Sequence, residues 1–123
     1  MIILTILLAF FFIFASSIKI LGWQKFIFES QLAFFKKYGL NRLQMLLIGI
    51  AELAAALLLI SSIYLSNELL NGVGSIMIAF TSIGAIYFHL RFDTIKDAIP
   101  AMVTLVLSTI LIVSNQVLLS LTI

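Results

Sequence analysis

The sequence predicts an all-α integral membrane protein, a four-helix bundle with an amphipathic segment at the interface between its first two spans. Composition leads there first: hydrophobic residues make up 63% of the 123 and charged residues 10%, too little polar surface for a water-soluble globule. Mean hydropathy is +1.28. Four apolar runs each reach the roughly 20 residues that a helix needs to cross about 30 Å of hydrocarbon. The seven Lys and Arg residues all lie in or beside the connectors that follow the first and third runs.

The first span covers residues 2–21. Its Ala15-Ser16-Ser17 has the small residues of a signal-peptide cleavage site, but no Lys or Arg precedes the run and Lys19 follows at once, so the segment is expected to stay as a span. The connector over about 23–38 carries Trp23, Ile27, Gln31, Phe34 and Tyr38 at helical spacing, with Lys25, Glu29, Lys36 and Lys37 largely elsewhere. It is expected to be an interfacial helix that anchors in the headgroup region, its lysines facing anionic lipid. Gly39 and Asn41 supply a helix stop and an N-cap before the second span.

The second span, residues 43–65, contains Glu52 at its middle. An acidic side chain there costs about 2.5–3.5 kcal/mol on insertion scales, so it marks either a functional site or a buried ion pair. The third span (69–90) carries Ser75, Ser82, Ala85 and His89 in one stripe, and the fourth (98–121) carries Pro100, Thr104, Ser108, Leu111 and Asn115. Such stripes face other helices, as do Gly49, Glu52 and Ala56. Lys19 and His89 lie on the same half of the membrane as the approach to Glu52, so the three are expected to converge in a polar cluster, with Asp93 and Arg91 at its mouth.

Positive-inside reasoning puts the first and third connectors in the cytoplasm, with both termini and the turn at 66–71 outside. The net charge of +2 follows from this asymmetry and gives no reason to expect nucleic acid. Absence of a eukaryotic targeting signal fits a bacterial inner membrane. The sequence has no cysteine and one histidine. That excludes thiol-oxidising chemistry and a disulfide, leaves too few ligands for a metal cluster, and excludes a bis-histidine haem within one chain. Glu68 and Asp97 are expected to be capping or interface charges.

Three stretches in order resemble the DoxX and DoxX-like family of small four-span membrane proteins. Ala15-Ser16-Ser17-Ile18-Lys19-Ile20 is similar to the family's small-small-x-x-Lys-Leu ending of span one, Gly49-Ile50-Ala51-Glu52-Leu53 to its Gly-x-x-Glu-Leu, and His89-Leu90-Arg91-Phe92-Asp93 with Pro100-Ala101 to its His-to-Asp and Pro-Ala segment. Ser16 stands where Gly is common and Ile20 where Leu is. The resemblance implies Lys19, Glu52, His89 and Asp93 as ligand or proton-handling residues, shaped by Gly49 and Pro100. It further implies a redox-associated or quinone-linked membrane subunit, with quinone as the candidate ligand and a partner enzyme or a second copy of the chain as the candidate partner. Glu52 and His89 are then expected to hydrogen-bond or exchange protons with a lipophilic head group, beside the positive charge of Lys19. Electrons would come from the partner, so the chain alone is not expected to be catalytic. Two other readings stand beside this one: a membrane scaffold or assembly factor whose buried charges are structural, and a small proton-coupled exporter. The exporter fits less well, because such four-span transporters carry their Glu on the first span, where this chain has Lys19.

Overall fold

The computed structural model describes residues 2–122, which form helices α1 (Ile2–Leu21), α2 (Lys25–Lys37), α3 (Arg42–Tyr64), α4 (Glu68–Phe92), α5 (Ile95–Ser114) and α6 (Gln116–Thr122). α1, α3, α4 and α5 are each long and apolar enough to cross a membrane. Large apolar side chains such as Phe10, Phe80 and Val106 are exposed on the outer surface. Only lipid satisfies a surface of that kind.

Local chemistry sets each boundary. Gly22 turns the chain at φ +65°, and the Gln24 side chain accepts from Ile27 N to cap α2. Gly39, at φ +84°, ends α2, with its N–H donating to Lys36 O and that of Leu40 to Phe35 O. Asn41 and Gln44 form a reciprocal capping box at the start of α3, as do Thr94 and Asp97 at the start of α5. Asp97 is thus a capping acid.

The expected fourth span is corrected at both ends. The Thr94 box starts α5 at Ile95, and Asn115 stops it at Ser114. The Asn115 side chain donates to Glu68 O at 2.8 Å and accepts from Leu118 N at 3.0 Å, so one residue ties down the start of α4 and caps α6. Hydropathy alone runs straight through this break.

α1 packs on α3, α3 on α4 and α4 on α5, whereas α1 and α5 touch only sparsely. The core is formed by Leu8, Ala9 and Phe12 of α1, Ala55, Ala56 and Leu59 of α3, Ile78 of α4 and Leu111 of α5. Glycines permit the close crossings. A Cβ on Gly49 would lie 2.9 Å from Lys19 Cβ, and one on Gly74 would lie 2.9 Å from Ala55 O. The polar stripes face inward as expected: Ser75, Ser82, Thr104, Ser108 and Asn115 are buried, and the Ser82 and Thr104 hydroxyls bond across α4 and α5 at 2.7 Å.

Candidate functional site

Gly49 and Glu52 are three residues apart and so share a face of α3. Because Gly49 has no side chain, the backbone of α1 comes in against that face and sets Lys19 beside Glu52. Lys19 Nζ then lies 2.9 Å from Glu52 Oε1, with the two side chains 10% and 9% exposed. The distance is that of a buried ion pair. Two opposite charges therefore meet where the last turn of α1 lies against the middle of α3.

A cavity of about 300 Å³ lies over this pair, walled by Phe11, Phe12 and Ala15 of α1, Phe34 of α2, Thr81 and Ala85 of α4, and Pro100 and Ala101 of α5. A second lobe of about 260 Å³ extends toward Tyr38, Ile48 and Phe88. Both lobes share Lys19, Gln31, Glu52 and His89. Most of the wall residues come from α1, α4 and α5, the first and last of which touch only sparsely. An apolar pocket with a few convergent polar groups is the usual form of a small-ligand site. Another hollow, of about 330 Å³, lies at the opposite end among Thr5, Asn71 and Asn115 and shares none of these residues.

His89 is held from outside the cavity. Tyr38 donates its hydroxyl to Asp93 Oδ2 at 2.6 Å, and His89 Nδ1 lies 2.9 Å from the same oxygen and 3.1 Å from the Tyr38 hydroxyl. Lys37 completes the group with an ion pair to Asp93 Oδ1. With Asp93 ionised and Tyr38 already donating to it, this network assigns the proton of the neutral ring to Nδ1 and leaves the Nε2 lone pair free. Tyr38 also stacks on Phe88 at 4.9 Å between ring centroids. Burial would by itself push the Asp93 carboxyl up, but hydrogen bonds from Lys37, Tyr38 and His89 and the charge of Lys37 outweigh it and hold the group below its ordinary value of 3.8. Burial, followed by the bond to Asp93 and the charges of Asp93 and Asp97, pushes the Tyr38 phenol up, so it remains a donor.

The depressed carboxyl gives a pH dependence of defined sign. Ionised Asp93 stabilises docking of α2 fully above its ordinary value, and the contribution is lost as pH falls through the lower value of the folded state. Hydrogen-exchange protection across residues 34–40, corrected for the intrinsic exchange rate at each pH, is expected to be level down to about pH 4 and to fall only below it. Asp93→Asn is expected to lower that protection already at neutral pH; unchanged protection in this variant would contradict the account.

Lys19, Glu52 and His89 thus meet at one cavity as expected, and Pro100 lines it. Two expectations are corrected. Asp93 does not stand at the mouth: its side chain is 1% exposed beneath α2, where it positions His89. Arg91 turns away, bonding to the Tyr87 hydroxyl and lying over the Phe92 ring. The reason is helical geometry, since residues two apart on a helix face different ways whereas His89 and Asp93, four apart, share a side.

The amphipathic face of α2 is also corrected. Trp23 precedes the helix and folds back on α1, donating to Ser17 Oγ at 3.0 Å and meeting Phe14 edge to face. The remaining face, Gln31, Phe34 and Tyr38, roofs the cavity. Those three residues and Lys37 were not among the expected site residues. A glutamine inside an otherwise apolar helical stripe was the available signal.

The DoxX-like family model matches residues 3–111, which include all of the cavity's polar groups. The chain belongs to the DoxX-like family. No curated protein and no solved structure matches it. The three stretches that carry the family likeness have separate tasks in this DoxX-like chain: Gly49 admits α1, Lys19 and Glu52 pair, and His89 and Asp93 fasten α2 to the end of α4.

Proposed function

We propose that this DoxX-like chain is a redox-associated membrane subunit that holds the polar head of a quinone-type lipophilic ligand for a partner enzyme. The carrying observation is the Lys19–Glu52 pair set in the wall of an apolar cavity, where the last turn of α1 meets the middle of α3. Buried charge of this kind is expensive in a membrane and is kept where it meets a ligand or a proton. Lys19 supplies positive charge and N–H donors to the head group, while Glu52 and His89 accept or return its protons. A quinone-type group would supply the two-electron chemistry. With no cysteine and one histidine in the chain, the electrons would come from the partner.

All seven basic residues lie at the end of the bundle that carries α2. By the positive-inside rule this end faces the cytoplasm, with both termini across a bacterial inner membrane. The hollow among Thr5, Asn71 and Asn115 then opens to the other side.

Mass spectrometry of the gently purified protein tests the reading. The wild type is expected to retain a lipophilic ligand that Glu52→Gln and the double variant Lys19→Met/Glu52→Gln both lose. A protein partner recovered equally with all three, and no small ligand with any, would make the chain a scaffold and its buried charges structural.

A further inference from the structure

The cavity beside Lys19 and Glu52 reaches the outer surface at one place. Of the residues that line it, only Phe11 of α1 and Pro100 of α5 are exposed, and the second lobe has no exposed lining residue. Toward the basic end of the bundle, Gln31, Phe34 and Tyr38 of α2 cover it. α1 and α5 touch only sparsely, and behind Phe11 and Pro100 the wall continues in the small, half-buried Ala15 and Ala101. Depth decides what lies outside this gap. Phe11 is ten residues before the end of α1 and Pro100 five after the start of α5, which at 1.5 Å per residue puts them about 15 and 8 Å inside the spanning region. Around them on the outer surface stand Leu7, Phe14, Ile99 and Val103, all exposed and apolar. Lys96, a turn before Pro100 and also exposed, marks the headgroup level. The gap therefore faces lipid chains and not water.

From this geometry we infer that the site takes a lipid-soluble ring compound with one long apolar tail, the ring inside and the tail leaving between α1 and α5 into the bilayer. The inference rests on the reading of the cavity as a lipophilic head-group site and adds the form of the ligand and its route. Volume requires an exit for any long tail. At about 30 Å³ for each water-sized group, the cavity of about 300 Å³ holds on the order of ten. That is enough for a substituted ring and too little for a chain that crosses a leaflet as well. Phe12 and Phe34 give the ring aromatic walls. A tail in the gap exchanges lipid contacts for contacts with Phe11 and Pro100, and hydrocarbon supplies no net drive either way. Tail length is then nearly neutral, and selection falls on the ring.

The test uses the full chain in lipid nanodiscs with two benzoquinones that share a fully substituted ring, one bearing a methyl group and the other a ten-carbon chain. Bound compound is quantified after subtracting its uptake by empty discs and is expressed against its concentration in the disc lipid. On that scale the two affinities are expected to agree within about threefold. A second arm places a photoreactive diazirine at the fourth carbon of the long chain and counts only the labelling that excess methyl compound displaces. That label is expected around residues 11–15 and 99–103, the two sides of the gap. Binding of the methyl compound with the ten-carbon compound weaker by roughly tenfold or more would overturn the exit while leaving the ring site standing. So would displaceable label on α2, α3 or α4 instead. Binding of neither compound above empty discs would overturn both this inference and the reading it rests on.

Discussion

Lys19→Met is expected to destabilise the protein by about 3–5 kcal/mol, the usual cost of removing one partner from a buried ion pair. The loss is not that of one attraction. It is the penalty of leaving Glu52, on a side chain only 9% exposed, as a charge with no counter-charge beside it. Glu52→Gln is expected to cost less, because Lys19 lies two residues from the end of α1 and its flexible stem can carry the ammonium to the interface. The double variant, which removes both charges, is expected to regain most of the loss. A double-mutant cycle followed by unfolding against SDS mole fraction reads all four proteins. If the two single losses simply add, Lys19 and Glu52 are not coupled and the pair is an incidental contact.

Gly74→Ala is expected to be the most damaging single-methyl insertion, at about 1–3 kcal/mol. The added Cβ would stand 2.9 Å from Ala55 O, with Leu58 Cβ and Leu59 Cδ2 both at 3.2 Å. A backbone carbonyl inside a helix cannot swing away as a side-chain tip can, so α3 and α4 must separate along the core. Gly84→Ala supplies the control. It lies on the same helix with nothing within 4 Å of the added atom, so its change in stability is expected to be neutral or slightly favourable. Equal losses in the two variants, measured by the same unfolding assay, would mean that helix crossing distance is not what Gly74 protects.

What the sequence revealed differs between spans and site for definable reasons. Bilayer thickness and helix rise together demand about 20 apolar residues, so the runs near 2–21, 43–65 and 69–90 locate α1, α3 and α4 to within about two residues. The end of α5 was hidden because apolar composition continues through Val117, Leu118 and Leu119, while the break depends on the hydrogen bonds of a single asparagine. Lys19, Glu52 and His89 were legible as a cluster because they lie in the same half of the membrane, whereas Asp93 was placed with Arg91 at the mouth and its contact with His89 was missed. Tyr38 was not legible, because it reaches His89 across 51 residues of chain by the fold-back of α2, and no local pattern encodes that return. Gln31 was seen on the apolar stripe of α2. Its exposure to a cavity, not to headgroups, required the tertiary structure.

Lys19 and Glu52 also belong to consecutive spans, and this bears on how the chain enters the bilayer. α1 is synthesised first and carries its charge near one end, where an ammonium remains in reach of the interface. Glu52 arrives with the next span and finds its counter-ion already placed, through the same α1–α3 contact that Gly49 allows. The two charges can therefore be partitioned into hydrocarbon as a neutral helical hairpin, so neither need cross as a lone ion. α4 packs on α3 and α5 on α4, so each later span meets the helix made before it.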